Sequence, residues 1–488
     1  MMSSILDLKP ALVWKHFHAL TQIPRPSGHC EQVTEYIETF GKNLGLATSR
    51  DSSNNICIRK PATPGYEKKP TVILQSHVDM VPQANSDIRF DFTKDAIRPY
   101  IDGEWVKAEG TTLGADNGVG VAATLAVLEA TDLQHGPLEG LFTTDEETGM
   151  YGALAVRPGF INGKIMLNLD SELDGELYIG CAGGEDVNIT FRYDNETFVL
   201  DENIVVKVSL TGLKGGHSGV DIHLGRANAN RLMFRFLKDA MQTYDIRLAS
   251  IEGGSLRNAI PREAFATILV DGEEKYGRLL TMVDDYRELF NKEFDGIENK
   301  IELKAERQTG SKELKIIPAD VQRKLTHAIV GCPNGVINMF AKIPDTVETS
   351  VNMAIVKSGD NLTEIKFLAR SSSESRKKAI CSRIESVFTN ACADTIEVGG
   401  AYPGWNPNPD SQILKIMEKV FETQRGYKPK VEVMHAGLEC GIILDSVPGL
   451  DTVSFGPTIR FPHSPDERLE IASVGKFWDF LTAILKAV

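Results

Sequence analysis

Five short segments of the sequence carry histidines and carboxylates of the kinds that bind metal ions. One of them, Thr-Thr-Asp-Glu-Glu-Thr-Gly at 143–149, has two glutamates side by side, Glu146 and Glu147. The other four segments contain His77, Asp116, Asp170 and His463. Together they offer two imidazoles, three carboxylate ligands and one further glutamate, which is the set of groups that a two-zinc hydrolytic site requires.

The spacing of these residues suits such a site. His77 and Asp79 are two residues apart, so at the end of a strand both point to one face, and Asp79 can hold the imidazole from behind. Asp116 follows Gly114 at the start of a predicted helix. A dinucleotide-binding loop is not expected there, because the spacing is not G-x-G-x-x-G and the charge of Asp116 would repel a pyrophosphate. Each pattern also has a structural explanation, as a strand-end His-Asp pair or a helix-capping aspartate.

The acidic residues after the two later strands are placed where a metal site needs them. Glu146 and Glu147 are adjacent, so their side chains diverge, and one can bind a metal while the other faces the attacking water. An Asp-Glu-Glu run by itself is otherwise a solvated acidic turn. Asp170 follows the apolar strand predicted over 164–169, where a purely structural sheet seldom places a charge.

Two later segments contain other reactive side chains. His217 lies in the glycine-rich segment 215–219, which would let its ring reach outward, although a loop histidine without a partner fits the same pattern. Cys440 lies in the segment 435–441. No Cys-His-Asn order accompanies this cysteine, which argues against a thiol hydrolase.

Length and charge limit the kind of protein and its partners. A chain of 488 residues is expected to form two or three domains, and its 42% apolar and 25% charged residues are typical of globular proteins. The formal charge is -14, from 67 acidic and 53 basic residues. Such a surface repels phosphate backbones and anionic lipids, so neither a nucleic acid nor a membrane is an expected partner.

The cysteines and the first residues indicate the compartment. Seven cysteines, an odd number without a Cys-x-x-Cys pair, do not form a disulfide framework and indicate a reducing environment. The first 17 residues lack a basic start followed by an apolar core, and no apolar run reaches about 18 residues. We therefore expect a cytoplasmic protein.

The order of apolar segments predicts an α/β fold, with a mixed, mostly parallel sheet and helices on both faces. Strands predicted at 71–75, 140–144 and 164–169 end just before three of the metal-binding segments, and ligands bind at that edge of such sheets. Residues 1–186 and 400–488 are predicted to form one catalytic domain, because His77 and His463 can share a site only if both flanks fold together. Residues 187–399 are predicted to be an α+β insert of two similar halves.

Four segments early in the chain resemble motifs of the co-catalytic zinc peptidases of the aminoacylase and carboxypeptidase family. They are 23–28, 76–80, 110–118 and 143–149. Three later segments resemble the aminoacyl-histidine dipeptidase branch of that family. They are 213–221, 435–441 and 462–468. The resemblance extends in order from about residue 12 to the C-terminus.

The resemblance implies two zinc ions per chain, which cobalt or manganese can replace. It implies that His77 and Asp170 bind one zinc ion and that Glu147 and His463 bind the second. Asp116 would bridge the two ions.

The remaining roles follow from the same resemblance. Glu146 would be the general base, and Asp79 would support a ligand histidine from behind. The insert would be a lid of two ferredoxin-like halves, from which His217 stabilises the oxyanion. The residues lining the substrate site would be Asn258, Arg370 and Gly437.

These implications lead to one expected function and two alternatives. We expect a cytoplasmic two-zinc dipeptidase that acts on small unblocked peptides of the Xaa-His type, as a monomer or a homodimer. An N-acyl amino acid deacylase would use the same chemistry on a different substrate. A non-catalytic binding protein would keep the fold, but it is disfavoured because none of the metal-binding residues is missing.

Overall fold

The computed structural model describes residues 4–200, 203–309, 313–341, 343 and 345–488. The chain divides into two compact units. The first unit consists of Met1–Cys181, Trp405–Val433 and Leu438–Val488, and the second of Ala182–Gly404 and Met434–Gly437. Both ends of the chain therefore build the first unit, and the second unit is an insert joined by a short returning segment.

Helices and strands alternate along much of the chain. Up to Cys181 they are α1 Ala11–Thr21, α2 Glu31–Asn43, β1 Ala47–Arg50, β2 Ile56–Lys60, β3 Val72–His77, β4 Pro99–Asp102, β5 Trp105–Ala108, α3 Ala115–Glu129, β6 Leu138–Thr143, α4 Tyr151–Ala155, β7 Ile165–Asn168 and β8 Glu176–Cys181. In the insert they are β9 Gly183–Arg192, β10 Glu196–Val199, β11 Asn203–Thr211, β12 Gly216–His217, α5 Ala229–Tyr244, β13 Arg247–Gly253, β14 Ala259–Ile260, β15 Ala264–Asp271, α6 Gly272–Glu293, β16 Glu302–Arg307, β17 Glu313–Ile316, α7 Ala319–Gly331, β18 Gly335–Met339, β19 Val347–Gly359, β20 Leu362–Ser371, α8 Glu374–Asn390 and β21 Thr395–Tyr402. Beyond it they are α9 Gln412–Arg425, β22 Lys430–Met434, α10 Glu439–Ser446, β23 Asp451–Ser454, β24 Ile459–Arg460, β25 Arg468–Glu470 and α11 Ile471–Ala487.

The main sheet of the first unit has the strand order β1-β2-β6-β3-β7-β23-β8-β22. Its four central strands, β6, β3, β7 and β23, are parallel, and the strands beside them on either side, β2 and β8, are antiparallel. All residues of β3 and β6 are buried, so both faces of the sheet are covered, as the apolar strand sequences require. The predicted α/β fold class with a mixed, mostly parallel sheet is confirmed.

Helix α3 is apolar on every side and is buried from Asn117 to Leu128. Its N-terminus follows Gly114, which has a left-handed conformation, and its first turn is irregular at Asp116 and Asn117. A Cβ atom on Gly120 would lie only 2.7 Å from the main-chain oxygen of Leu169. The first turn of α3 therefore lies against the end of β7, which is where two of the predicted metal ligands enter.

A buried carboxylate lies at the edge of the sheet where the parallel strands begin. Glu139, near the start of β6, accepts hydrogen bonds from Arg59 Nε at 3.1 Å and from the backbone N–H groups of Asn162 and Gly163 at 2.8 and 2.9 Å. It pairs in register with Ile73, near the start of β3. Glu139 thus satisfies backbone donors at the edge opposite to the one at which β3 ends.

In the described part of the second unit the large sheet has the order β16-β11-β15-β13-β19-β20-β9-β21. Strands β11, β13, β15 and β16 with helices α5 and α6 form one βαββαβ half, whose strand order is 4-1-3-2. Strands β9, β19, β20 and β21 with α7 and α8 form a second half of the same order. This is the ferredoxin-like arrangement, and the first half is inserted between β9 and α7 of the second.

One continuous apolar core joins the two halves of the insert. It includes large side chains from both of them, Phe234, Phe290, Phe367 and Phe388. Each fully buried phenylalanine contributes about 1.5–3 kcal/mol relative to an exposed one. Of the helices that the structure describes, none combines the length and the apolar character needed to cross a membrane.

Candidate metal centre

Parallel strands bring the predicted ligands to one edge of the main sheet. β3 ends at His77, β6 ends four residues before Glu147, and β7 ends two residues before Asp170. These three strands are neighbours and run in the same direction. Their carboxyl ends therefore meet, which is where open α/β sheets bind ligands.

Five side chains meet there in two groups that share one carboxylate. Nε2 of His77 lies 3.1 Å from Asp116 Oδ1 and 3.3 Å from Asp170 Oδ1. Nε2 of His463 lies 3.1 Å from Asp116 Oδ2 and 3.0 Å from Glu147 Oε2. Each oxygen of Asp116 thus faces a different imidazole, and within each group the ligand atoms lie within 4.8 Å of one another.

These groups have the chemistry and the spacing of metal ligands. The carboxylates of Asp116, Glu147 and Asp170 are only 11%, 6% and 7% exposed, so their mutual repulsion is poorly screened. Glu147 Oε1 is buried and has no hydrogen-bond donor in the described part of the chain. Metal–ligand bonds of roughly 2.0–2.1 Å in a tetrahedron separate the ligand atoms by about 3.3–3.4 Å, close to the distances observed. The residues of both groups therefore fit a divalent cation, and Asp116 belongs to both groups.

The excess of negative charge also raises the pKa values of the two histidines. Hydrogen bonds to Asp116 and Glu147 raise the pKa of His463 to about 11. Burial lowers the pKa of His77, but Asp170 and Asp116 outweigh it and hold that pKa well above its ordinary value. In the absence of cations, these carboxylates therefore favour the protonated form of both imidazoles.

Asp79 connects the His77 strand end to the two glutamates. Its Oδ1 lies 3.4 Å from His77 Nδ1, as expected for a carboxylate behind a ligand imidazole. The same carboxylate accepts hydrogen bonds from the backbone N–H groups of Glu146 and Glu147, at 3.1 and 3.2 Å, and from Ser27 Oγ at 2.7 Å. Asp79 therefore fixes the backbone from which both glutamates project.

The turn that carries the glutamates has an unfavourable backbone conformation. Asp145 has a φ of 53°, in the left-handed region that residues other than glycine seldom adopt. Its Oδ1 accepts a hydrogen bond of 2.6 Å from Gly28 N, which holds the turn in place. Backbone strain of this kind is concentrated at functional sites.

Sequence reasoning assigned no role to Arg25, although it lies in one of the motifs that carry the family resemblance. Its guanidinium is fully buried and donates to the main-chain oxygens of Val78, Asp79 and Gly114 at 2.8, 3.1 and 2.6 Å. A Cβ atom on Gly118 would lie 2.6 Å from Arg25 Nη2, so a larger residue there would have to displace the guanidinium. Arg25 joins the segment after β3 to the segment before α3.

A buried chain of hydrogen bonds behind the centre was also missed. Glu439 accepts hydrogen bonds from Gln75 Nε2 and Thr143 Oγ1 at 2.6 and 2.7 Å. Gln75 accepts one from Asn168, which in turn accepts one from Ser454, both at 2.5 Å. The chain crosses the four central strands near their carboxyl ends, and burial raises the pKa of Glu439 to about 7. The available signal was a set of polar residues inside otherwise apolar strands.

The other four predicted site residues lie in the second unit, where His217 and Asn258 are close together. β12 pairs with β14, and Ser218 N donates to the main-chain oxygen of Asn258 at 2.7 Å. His217 Nδ1 accepts hydrogen bonds from the N–H groups of Gly219 and Val220 at 3.2 and 3.0 Å. Since Nδ1 is an acceptor, the proton of the neutral ring lies on Nε2, which is then a hydrogen-bond donor.

Arg370 and the segment of Gly437 lie near the loop that carries His217. Arg370 is 4% exposed, and its Nη1 donates to Tyr402 Oη at 3.0 Å. Burial first and the Arg370 charge second lower the pKa of His435, two residues before Gly437, to about 3. The main-chain oxygen of His435 lies against Gly219, where a Cβ atom would be 2.1 Å away. The second unit therefore gathers all four residues around one region.

Comparisons with known proteins agree with the fold and the site. The chain belongs to peptidase family M20/M25/M40, which matches residues 73–487. The cytosol non-specific dipeptidase of Escherichia coli K12 is 45% identical over 488 residues, covering 100% of this chain and 99% of that protein. The expected membership of this peptidase family is therefore confirmed, and with it the expectation of a hydrolase.

Solved structures give the same result. The aminoacylhistidine dipeptidase of Vibrio alginolyticus is 46% identical, with a TM-score of 0.90 over 100% of this chain and 98% of that one. The aminopeptidase PepT of Bacillus cereus is 16% identical, with a TM-score of 0.57 over 98% of this chain and 99% of that one, and so supports the fold alone.

We predict that the metal-free protein releases protons when it binds a divalent cation. The neighbouring carboxylates raise the pKa values of His77 and His463 and so favour protonated imidazoles in the metal-free centre, whereas a ligand imidazole must lose its proton. Binding should therefore strengthen as the pH rises and weaken as it falls. Calorimetric zinc titrations in buffers of different ionisation enthalpy should report a net release of protons, and a heat independent of the buffer would contradict this.

Proposed function

We propose that this peptidase is a two-zinc dipeptidase that hydrolyses unblocked dipeptides, including Xaa-His substrates. The observation that carries the proposal is the position of Asp116, whose two oxygens each lie 3.1 Å from a different histidine. The names of the two relatives of 45% and 46% identity, a non-specific dipeptidase and an aminoacylhistidine dipeptidase, support the substrate class. Cobalt or manganese can replace zinc with the same imidazole and carboxylate ligands.

Each ion would have its own ligands and one shared ligand. His77 and Asp170 would hold one ion, Glu147 and His463 the other, and Asp116 both. Divalent cations at these positions would supply Lewis acidity toward the scissile carbonyl and the attacking water.

Glu146 is the carboxylate that remains for proton transfer. Burial, and then the charges of Asp170 and Glu147, raise its pKa well above the usual value for glutamate, which makes it a stronger base. Its backbone N–H is fixed by Asp79. Glu146 takes the proton of the attacking water and later gives it to the leaving amine.

The insert supplies the groups that recognise the peptide and acts as a lid. The Nε2–H of His217 donates to the oxygen on which negative charge develops, an interaction worth about 3–4 kcal/mol in comparable sites. Arg370 binds the α-carboxylate of the substrate through paired hydrogen bonds. Asn258 and Gly437 line the remaining substrate surface.

A cytoplasmic location fits the chemistry of the cysteines. All seven cysteines of the sequence are free thiols, and six of them are buried. Free thiols without disulfides are usual where the environment is reducing. The Escherichia coli relative is named a cytosol dipeptidase, which supports the same location for this protein.

We predict different effects for the two adjacent glutamates. Glu146→Gln should keep its metal content but lose at least ~10²–10⁴-fold in kcat, because the base is removed while the metal ligands stay. Glu147→Gln should lose metal as well as activity. Metal analysis of the purified variants beside steady-state rates separates the two effects, and the reverse pattern would exchange the two roles.

We predict that unblocked dipeptides are hydrolysed at least ~10-fold faster, as kcat/KM, than their C-terminal amides, since the amide lacks the charge that Arg370 binds. Arg370→Ala should remove most of this preference by slowing the free dipeptide. Rates measured for dipeptides, tripeptides, dipeptide amides and N-acetylated amino acids, with zinc supplied, test the proposal.

Arg247→Ala is the matched control, because Arg247 lies in the same unit but pairs with Glu196 and the main-chain oxygen of Ile317. It should keep the preference. Equal rates for dipeptide and amide in the unchanged enzyme would disprove the Arg370 contact. Faster cleavage of N-acetylated amino acids would identify a deacylase instead. If none of these substrates is hydrolysed, the result would favour a non-catalytic binding protein.

A further inference from the structure

Glu467 is a buried carboxylate of the first unit that the mechanism above does not use. It is 1% exposed. Its Oε2 accepts hydrogen bonds from the backbone N–H groups of Leu113 and Gly114 at 2.7 and 2.9 Å. Its Oε1 accepts from those of Ala115 and Asp116 at 2.8 and 3.2 Å. One side chain thus satisfies four consecutive backbone donors at the start of α3, and the last of them belongs to the shared metal ligand.

This carboxylate also belongs to the loop that carries His463. The loop 461–467 joins β24 to β25, with His463 near its start and Glu467 as its last residue. Inside the loop, Glu467 N donates to the main-chain oxygen of Ser464 at 3.0 Å, and Ser464 Oγ donates to that of Phe461 at 3.0 Å. These short internal contacts make the histidine and the carboxylate parts of one turn.

The two ligand histidines are held in different ways. The side chain of His77 is 1% exposed, lies at the end of a central strand and has Asp79 behind it. The side chain of His463 is 52% exposed, and its backbone has a left-handed φ of 60°. Packing therefore fixes His77, whereas the position of His463 depends on how its loop is attached.

Asp116 has attachments besides Glu467. Arg25 holds the main-chain oxygen of Gly114, and Asn117 Nδ2 donates to that of Leu169 at 2.8 Å. Loss of the carboxylate should therefore leave Asp116 near its place beside His77. It should release the loop of His463.

We propose that Glu467 is a positioning residue that sets the separation of His463 from Asp116, and so controls the affinity of one metal position. The affected position is the one formed by Asp116, Glu147 and His463, and the position at His77 is spared. This inference rests on the proposed two-metal function. It adds a residue that binds neither metal nor substrate and acts only through backbone amides.

Glu467→Gln is the test, because the amide replaces one acceptor oxygen with a donor that faces N–H groups. The metal-free protein is titrated with zinc by calorimetry in competition with a chelator. One affinity should stay within about 3-fold of the unchanged protein, and the other should weaken at least ~10-fold, as for other residues that orient metal ligands. Excess zinc should restore kcat without a change in the KM for a dipeptide.

Glu139→Gln is the matched control, since Glu139 is also a buried carboxylate that accepts backbone hydrogen bonds, but at the opposite edge of the sheet. It should lower the unfolding temperature while both metal affinities stay unchanged. If Glu467→Gln does not fold, Glu467→Asp keeps the charge on a shorter side chain and should show the same selective loss.

The outcomes separate this inference from the proposed function. Two unchanged metal affinities in the Glu467 variants, with only a lower unfolding temperature, would overturn the inference and leave the two-metal site standing. An equal loss at both positions would also overturn it, because the effect would not be selective. If the unchanged protein binds fewer than two ions, both proposals are wrong.

Discussion

The structure is organised around the cost of burying like charges together. Two unit charges 4 Å apart interact by about 4 kcal/mol in the effective dielectric near a protein surface, and here several carboxylates converge at one sheet edge. The charge must be balanced by protons on His77 and His463 or by bound cations. A site of this kind is unfavourable for the fold alone, so the surrounding structure has to hold it in place.

The surrounding structure does this with buried charged side chains whose hydrogen-bond partners do not titrate. Asp79 uses backbone N–H groups, Arg25 uses main-chain oxygens, and Glu439 uses amide and hydroxyl side chains. Each of these links joins segments that are far apart in the chain. Because the links are buried, their loss leaves a charge or a polar group without a partner, which costs more than the bond itself contributes. Rigidity at the metal centre is therefore distributed over several side chains.

The parts of the fold and site that could be predicted from sequence are those with local patterns. Apolar strands followed by acidic residues predicted the sheet edge, and the geometry gathers His77, Asp116 and His463 there. The sequence pattern predicts a last helix over 473–486 with Ser473 as its N-cap, but α11 begins at Ile471 and Ser473 Oγ donates to the main-chain oxygen of Glu470. The cap prediction was wrong because the serine also accepts from the N–H of Thr458, a tertiary contact that no local pattern contains.

The side chains that the sequence motifs did not identify were missed for the same reason. Arg25, Glu439 and Glu467 have no spacing that distinguishes them from surface charges, and their roles depend on partners up to 364 residues away. A charged residue inside a motif is informative only when its burial is known. Sequence motifs therefore identified the reacting groups more readily than the groups that hold them.

The nesting of one half of the insert inside the other has a consequence for the order of assembly during translation. Strand β9 leaves the ribosome early, but its neighbours β20 and β21 follow only after the whole first half has been made. The first half contains all four of its own strands in one continuous stretch, so it can form its sheet before β9 is paired. Until β20 and β21 have been made, β9 exposes unpaired edges, and its alternating apolar residues make the nascent chain vulnerable to aggregation at that stage.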